Sequence, residues 1–452
     1  MNETDRLLDT NLPGENEPSS GTVSAGPRAP RPRTVEETGL SAIYLADLVS
    51  KHLFENGVLD LRDLTRRTAL AGGLLDEIFA SLRADGRAEV RGAHPESGVL
   101  RFGLTDRGRT AALEAFGRDG YVGPAPVPLE QYTRTVTQQT LSAHRVNRST
   151  IRAVFADTVI RPALLDQLGP ALHSGRAMFI YGAAGTGKSF IARRLARLLT
   201  GDVLVPHAIL VAGKAMKCFD PGVHLPLDDD EPMSPLQYQQ GDDPRYVRCQ
   251  RPVVVTGGEL TLDMLEVQYD EATRVHHAPV QLRANNGMMI IDDLGRQRVD
   301  PLALFNRWIV PLEERRDFLT LRNGQHFQMP FDVALVFSTN RNPLDLADEA
   351  FLRRIGYKIR FDPLDQSDYL TLWEQECRRR GIDHDPALAR FVVDELHRER
   401  GVALLPCHPR DLLDLAQDYL HYMDEDTLST DALRWAWESY FVGLDEPVEV
   451  RS

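Results

Sequence analysis

Cysteine and positive charge are both scarce in this sequence of 452 residues, and each scarcity excludes a class of protein. The four cysteines are Cys218, Cys249, Cys377 and Cys407, and no two of them form a CxxC pair. This excludes a disulfide framework and leads us to expect a reducing cytoplasm. The 52 Lys and Arg are outnumbered by 66 Asp and Glu, which gives a net charge of −14. A chain held to nucleic acid by bulk positive charge is therefore excluded, although a local basic patch stays open.

Long hydrophobic runs are also missing. The most apolar stretches, such as Ala177–Tyr181 and Val333–Phe337, are far shorter than the ~20 residues of a membrane-spanning helix. Residues 1–10 lack the basic start and apolar core of a secretory signal. We therefore expect no membrane span and no secretion by that route.

The length suggests about three domains. Residues 1–35 are rich in proline, glycine and serine and poor in large apolar side chains, which predicts a disordered tail. Residues 36–122 show three helical patterns, then two short strand patterns and a last helix, and this order resembles a winged-helix domain. Its third helix, residues 72–84, offers Asp76 and Glu77 to a partner, so docking or oligomerisation is favoured over DNA binding.

The remaining chain divides by composition and periodicity. The proline-rich start of residues 123–150 predicts a linker. Residues 151–362 have the pattern of an α/β domain, with an exposed insertion at about 213–250. Residues 363–452 are helical in pattern and predict a helical lid.

One motif carries specific chemistry. An apolar strand pattern is followed by G-x-x-x-x-G-K-[ST] and then by an amphipathic helix, which is the context of a phosphate-binding loop. Glycines let backbone N–H groups point inward around a triphosphate, Lys188 reaches the β- and γ-phosphates, and Ser189 supplies a hydroxyl to Mg²⁺. ATP and Mg²⁺ are therefore the predicted cofactors. The predicted nucleotide-binding residues of this motif are Gly182, Ala183, Ala184, Gly185, Thr186, Gly187, Lys188 and Ser189.

A second apolar strand pattern, Met288–Ile291, ends in two carboxylates. Asp292 is placed to hold the Mg²⁺ shell, as a Walker-B aspartate does. Asp293 is placed to polarise an attacking water. These residues complete the minimal site for metal-assisted hydrolysis of a nucleoside triphosphate.

Together these motifs resemble the AAA+ ATPase family over residues 151–444. The resemblance implies an α/β P-loop AAA+ core with a parallel sheet and flanking helices, a C-terminal helical lid and an N-terminal winged-helix-like α+β domain. It also implies further site residues. Asn340, after the strand pattern from Val333, matches the sensor-1 position that binds the water or the γ-phosphate. Arg354 aligns best with the arginine finger, which acts on the nucleotide of a neighbouring subunit, and the assignment between Arg354 and Arg353 stays open.

A last motif of the family lies in the lid. His408-Pro409-Arg410-Asp411-Leu412 is similar to the sensor-2 motif, and the resemblance implies that Arg410 contacts the phosphates from the lid. Because a finger acting in trans needs a neighbour, the resemblance implies a homo-oligomeric ring, as a hexamer.

Two departures from the family bear on function. Asp293 stands where the family usually has glutamate, and its side chain is one methylene shorter, so hydrolysis is expected to be slower. No aromatic–hydrophobic–glycine triplet lies between Lys188 and Asp292, which weakens the case for threading a polypeptide through a ring.

The leading hypothesis is therefore an ATP-hydrolysing AAA+ protein that remodels an unidentified protein client. It resembles poorly characterised bacterial AAA+ ATPases with an N-terminal winged-helix-like domain, which are often labelled as having chaperone activity. The first alternative is an ATP-switched regulator with slow hydrolysis, whose winged-helix-like domain binds DNA or a partner. A motor for secretion or pilus assembly is a further alternative.

Overall fold

The computed structural model describes residues 27–93, 98–143, 146–227 and 242–441. Within these ranges no helix combines the length and the apolar character that crossing a membrane requires.

The region before residue 122 is an α+β unit that contains the predicted three helices, two strands and last helix in that order, together with a short first helix and a two-residue strand that were not predicted. Its helices and strands are α1 (Val35–Thr38), α2 (Ala42–Asn56), β1 (Leu59–Asp60), α3 (Leu61–Thr68), α4 (Gly72–Ala84), β2 (Ala88–Ala93), β3 (Leu100–Leu104) and α5 (Asp106–Arg118). The three strands form an antiparallel sheet with β3 in the centre. Phe102 of this sheet stacks on Phe79 of α4, with ring centroids 4.0 Å apart. Stacking of this kind ties the sheet to the helix that packs over it.

The predicted disordered tail is wrong for residues 27–35, while residues 1–26 lie outside the described ranges. Ala29 is buried, and its carbonyl accepts a hydrogen bond from the Asp243 N–H at 2.8 Å. Arg248 also donates to the carbonyl of Pro27. A proline-rich backbone keeps its carbonyl acceptors although it lacks N–H donors, so it can lie as an extended arm along a neighbouring strand.

Residues 127–360 contain two five-stranded sheets, two smaller two-stranded sheets and the helices that pack against them. The elements up to the second sheet's end are β4 (Val127–Pro128), α6 (Leu129–Gln138), α7 (Arg148–Val154), α8 (Pro162–His173), β5 (Met178–Tyr181), α9 (Lys188–Leu195), β6 (Asp202–Pro206), β7 (Ala208–Val211), β8 (Lys214–Lys217), β9 (Tyr246–Gln250), β10 (Val253–Thr256), β11 (Gln268–Asp270), β12 (Val275–His277) and α10 (Val280–Arg283). The following elements are β13 (Gly287–Ile291), α11 (Pro301–Glu314), β14 (Arg316–Thr320), β15 (His326–Pro330), β16 (Val333–Thr339), α12 (Glu349–Arg354) and β17 (Tyr357–Arg360).

The core sheet has five parallel strands in the order β10-β13-β16-β5-β17. Every residue of β13 and β16 is buried, as expected for parallel strands covered by helices on both faces. Phe179 and Phe337 pack on the face that α11 covers, whereas Met178 and Val336 pack on the face that α8 and α9 cover. The carboxyl ends of β5, β13 and β16 therefore meet at one edge of the sheet.

The second sheet, in the order β11-β12-β8-β7-β4, differs from the sequence prediction in two places. Strand β4 lies in the predicted linker, yet Val127 is fully buried and pairs with Ile209 of β7. Strand β8 lies in the predicted exposed insertion, yet it sits between β7 and β12. Pro128 is tolerated because β4 is an edge strand. The acidic run at residues 228–231 lies outside the described ranges.

The N-terminal unit is docked on this second sheet. Asp119 accepts a hydrogen bond from the N–H of Ala215 at 3.2 Å, and the N–H of Gly120 donates to the carbonyl of Arg274 at 3.1 Å. A Cβ atom on Gly120 would lie 1.7 Å from the Thr273 carbonyl oxygen, so only glycine permits this approach. The N-terminal unit and the nucleotide-binding core are thus joined by direct contacts.

A fully buried ion pair reinforces the same junction. Arg245 contacts Asp243 at 2.7 Å with neither side chain exposed, and its Nη1 donates to the carbonyl of Thr38 in α1 at 2.9 Å. Removing one partner of such a pair would leave an uncompensated buried charge, at a cost of about 3–5 kcal/mol. The pair therefore fixes how the N-terminal unit sits on the core.

The lid is helical as predicted, and its last helix ends at Tyr440. Its elements are α13 (Gln366–Arg380), α14 (Pro386–Phe391), a π-helical turn (Val392–Arg398), α15 (Cys407–Tyr422) and α16 (Thr430–Tyr440). Its centre holds two buried histidines, His397 and His408, with ring centroids 5.1 Å apart. Nδ1 of His397 faces the carbonyl of Val402, so Nε2 accepts from the Tyr369 hydroxyl at 3.0 Å.

Acid should destabilise this lid. Burial lowers the pKa of both His397 and His408 to about 4, below the usual 6.5. Because the folded pKa lies below the unfolded one, the stabilisation is complete above about pH 6.5 and is lost as the pH falls toward 4, by up to about 3 kcal/mol for each histidine. We expect His408→Leu to flatten the decline in melting temperature between pH 7 and pH 4.5. The exposed His421 on the same helix is the control, and equal slopes for His408→Leu, His421→Leu and wild type would contradict the prediction.

Candidate nucleotide site

The loop of residues 182–189, called the phosphate loop below, has the backbone that its glycines allow. Gly182, Gly185 and Gly187 have φ values of 147°, 80° and 83°, in the region that L side chains rarely adopt. A Cβ on Gly182 would lie 2.1 Å from the carbonyl oxygen of Phe361. Gly187 is the N-cap of α9, so the loop ends at a helix N-terminus whose free N–H groups favour an anion.

Lys188 fills the inside of this loop. Its side chain is largely buried, and Nζ donates to the carbonyls of Gly182 at 2.9 Å and Ala183 at 2.7 Å. Burial lowers the pKa of Lys188, and the charges of Asp292 and Asp293 act in the opposite direction. Lys188 lines the same cleft as Asp293 and Asn340, at the place where a phosphate chain would enter the loop.

The structure brings the two predicted carboxylates and the predicted sensor-1 residue together. β13 and β16 are neighbours, so Asp293 and Asn340 follow adjacent strand ends. Asn340 Nδ2 donates to Asp293 Oδ1 at 3.2 Å. Asp293 has a φ of 49°, a left-handed conformation that aspartate tolerates better than most residues, and its N–H donates to Asp292 Oδ1 at 3.0 Å.

A cleft of about 1330 Å³ opens between the core and the lid. The predicted residues that line it are Ala184, Gly185, Thr186, Gly187, Lys188, Ser189, Asp293, Asn340 and Arg410. Gly182, Ala183 and Asp292 do not belong to this lining. The lid touches the phosphate loop directly, because the N–H of Cys407 donates to the carbonyl of Gly185 at 3.3 Å.

The two finger candidates lie elsewhere. Arg353 pairs with Glu349 at 2.7 Å, and Arg354 pairs with Glu313 at 2.6 Å. Neither arginine belongs to the lining of the cleft as the described residues define it. Within one chain, therefore, the structure does not bring Arg353 or Arg354 to the phosphate loop.

Several site residues escaped the sequence analysis. Arg296 lies at the cleft, 4.0 Å from Asp293 Oδ2, and Gln297 donates to the carbonyls of Asp292 at 3.1 Å and Gly257 at 3.2 Å. Gln297 therefore braces the turn that carries the carboxylates. The only sequence signal for both residues is that they closely follow the strand that ends in Asp292 and Asp293. Outside a helix, a separation of three or four residues does not predict which side chains meet.

The donor set fits Mg²⁺. A hydroxyl from Ser189 and a carboxylate from Asp292 are hard oxygen ligands, and Mg²⁺ in nucleotide sites takes one or two protein ligands while phosphate and water fill the rest. The described residues contain no cluster of three or more His, Cys, Asp or Glu side chains suited to a metal.

Comparison with known proteins gives a family match in the lid alone. A family model described as a domain of unknown function (DUF8689) matches residues 365–439. A search of the curated proteins finds no match to this chain.

Solved structures give distant likenesses. The chain is similar to a mutant of RuvB from Thermotoga maritima at 15% identity and a TM-score of 0.37, over 62% of this chain and 69% of that one. The RuvB Holliday junction branch migration motor of the same organism is 15% identical with a TM-score of 0.34, and the match covers 65% of this chain and 70% of that one. NtrX from Brucella abortus is 14% identical with a TM-score of 0.38, and the match covers 71% of this chain and 60% of that one. At these values the fold is better judged from the strand order and the phosphate loop.

The chain has a P-loop α/β core and a helical lid. This is the fold class that the AAA+ resemblance predicts for residues 151–441, and it is confirmed.

The close fit of the lid on the phosphate loop can be tested through Gly185. A Cβ on Gly185 would lie 2.5 Å from Cys407 Sγ, whereas one on Gly201, with a similar φ of 83°, would meet no atom of the described chain within 4 Å. We expect Gly201→Ala to cost only the left-handed strain of about 1–2 kcal/mol, and Gly185→Ala to cost more. Adding Cys407→Ala should recover the difference. Equal unfolding free energies for the two single variants in denaturant titrations would contradict this contact.

Proposed function

We propose that this chain is an AAA+ ATPase that binds Mg²⁺-ATP in the cleft between core and lid and hydrolyses it. The observation that carries the proposal is the hydrogen bond from Asn340 to Asp293 in the cleft that Lys188 of the phosphate loop also lines. Three separate segments of the chain converge there on groups that serve one task, namely holding a triphosphate and placing a water next to it.

Each group has a role that its position supports. The N–H groups of the phosphate loop and Lys188 neutralise the β- and γ-phosphates, and Ser189 with Asp292 would hold Mg²⁺. Bound Mg²⁺ would neutralise charge that develops on the phosphates. Asp293 takes a proton from the attacking water, and Asn340 orients that carboxylate through its amide.

The rate of hydrolysis should be modest. The Asp293 carboxylate sits one methylene closer to the backbone than a glutamate would, and the left-handed backbone at this residue sets its direction. Asn340 already holds Oδ1, which leaves Oδ2 for the water. A single fixed oxygen can act as a base, but with less freedom to follow the water into the transition state.

The active form is proposed to be a homo-oligomeric ring, as a hexamer. Arg353 and Arg354 lie outside their own chain's cleft and are held by Glu349 and Glu313. An arginine on that side of the subunit can reach the γ-phosphate of a neighbour, where it stabilises the transition-state charge. The Arg354 pair with Glu313 would have to open in that step.

The work done by the ring is proposed to be chaperone-like remodelling of an unidentified protein client in the cytoplasm. The contacts of Asp119, Gly120 and Arg245 join the N-terminal unit firmly to the core. Motion driven by the nucleotide would therefore move the lid against a combined body of core and N-terminal unit. This motion would be transmitted through the neighbouring subunit to a client that is bound by the N-terminal unit.

One observation favours a second candidate function, a nucleotide-switched regulator with slow turnover. The Asp293 replacement for glutamate and its left-handed backbone would both lower the rate. DNA as the partner of such a regulator is less favoured, because the solvent face of α4 presents Asp76 and Glu77 with Arg83 as its one base.

Steady-state ATPase assays, together with ATP-binding measurements, distinguish the ATP-hydrolysing function from the nucleotide-switched regulator. We expect wild type to hydrolyse ATP with Mg²⁺, Lys188→Ala to lose ATP binding, and Asp293→Asn to bind ATP but to lose at least about tenfold in rate. Lys217→Ala, which removes an exposed lysine of β8, is the control and should match wild type. ATP binding with equal, near-zero rates in wild type and Asp293→Asn would favour the switch. The absence of ATP binding by wild type would contradict both functions.

Duplex DNA tests the partner of the N-terminal unit. Because α4, the candidate recognition helix, is acidic on its solvent face, we expect the full chain to bind labelled duplex DNA no more than weakly at 50 mM salt, with or without ATP. Binding that is tight at 50 mM salt, falls steeply at 200 mM salt and is lost on Arg83→Ala would instead support the DNA-binding regulator.

A further inference from the structure

The lid arginine of the cleft is held by a neighbouring carboxylate. Asp411 Oδ1 accepts a hydrogen bond from Nε of Arg410 at 2.8 Å, and Nη2 of the same guanidinium lies 2.8 Å from this oxygen as an ion pair. Hydrogen bonding to Asp411 raises the pKa of Arg410. The contact occupies one side of the guanidinium, so Nη1 remains available to a phosphate in the cleft. More than half of the Arg410 side chain is exposed, so without Asp411 it would sample many rotamers.

Asp411 is itself held from the far end of the lid. Its second oxygen, Oδ2, accepts from the hydroxyl of Tyr440 at 3.0 Å. Tyr440 is the last residue of α16, and its ring packs edge-on against His408 and Phe441. Burial raises the pKa of Tyr440, which keeps its hydroxyl protonated and able to donate. The side chain of Asp411 is only about one-fifth exposed, so both of its bonds lie in a sheltered place.

We propose that Asp411, anchored by Tyr440, is a positioning residue that holds the guanidinium of Arg410 in the orientation that receives a phosphate of the bound nucleotide. This rests on the proposed function, because Arg410 has a task only if a nucleotide enters the cleft. The chain Tyr440–Asp411–Arg410 also links the end of α16 to the start of α15, so the packing of the last described helix contributes to nucleotide affinity.

Two effects of Asp411 oppose each other. Its negative charge weakens the attraction between the lid and a polyphosphate, while its hydrogen bonds spare Arg410 the loss of side-chain freedom on binding. The Asp411→Asn variant separates the effect of the charge from that of the hydrogen bonds, because the amide oxygen can still accept from Arg410 while the negative charge is gone. Alanine removes the charge and the hydrogen bonds together.

The experiment measures the Kd of a slowly hydrolysed ATP analogue with Mg²⁺ by calorimetry on the full chain. We expect Asp411→Ala to bind about threefold to tenfold more weakly than wild type, and Asp411→Asn to bind no more weakly than wild type. Tyr440→Phe, which removes one hydroxyl, should bind about twofold to threefold more weakly. Asp418→Ala, an equal charge change at an exposed position of the same helix, is the control and should leave the Kd unchanged.

A double-mutant cycle shows whether Asp411 acts through Arg410. In the Arg410→Ala background, adding Asp411→Ala should change the Kd by less than about twofold. An unchanged or tighter Kd for Asp411→Ala, or the same factor in both backgrounds, would overturn the proposal. If Asp411→Ala fails to fold, Tyr440→Phe replaces it in the wild-type and Arg410→Ala backgrounds. An unchanged or tighter Kd for Tyr440→Phe, or the same factor in both backgrounds, would then overturn the proposal.

Failure of this inference differs from failure of the proposed function. If wild type binds the analogue, Lys188→Ala does not, and Asp411→Ala matches wild type, then the function stands and the role of Asp411 is wrong. If wild type does not bind the analogue, then the function and this inference are both wrong.

Discussion

The contact between the lid and the phosphate loop is the interaction on which the rest of the site depends. The N–H of Cys407 reaches the carbonyl of Gly185, and the absence of a side chain at Gly185 lets the thiol approach the loop. This contact places the start of α15, and with it Arg410, at the mouth of the loop. Without it the core would present a phosphate-binding loop open to water, where electrostatic contacts are weaker.

The order of the core strands supplies the other half of the geometry. Because β13 and β16 are adjacent, their ends deliver Asp293 and Asn340 side by side, next to the loop that follows β5. The second sheet attaches the N-terminal unit to this core through buried contacts such as those of Arg245. The cleft lies on the boundary between lid and core, which is where we propose that the motion takes place.

The sequence predicts this site well where the chemistry is local. A glycine-rich loop between a strand and a helix, and acids at the end of an apolar run, are recognisable because the pattern lies within about ten residues. Strand β4 and the docked arm at Ala29 were missed, because proline-rich composition resembles a linker and their partners lie far along the chain. Asp411 stands inside a motif, but its anchor Tyr440 is 29 residues away, and only the fold brings the two together.

The central claim is that a nucleotide occupies the cleft between core and lid, and the cysteines offer the most direct measurement. Cys407 lines the cleft and is partly exposed, whereas Cys218, Cys249 and Cys377 are buried. Alkylation of the native protein at mildly alkaline pH, followed by mass spectrometry of its peptides, measures how accessible each thiol is. If a nucleotide binds there, Mg²⁺-ATP slows labelling of Cys407 in wild type and has no such effect in Lys188→Ala. Labelling of Cys407 at the same rate with and without saturating Mg²⁺-ATP would contradict it.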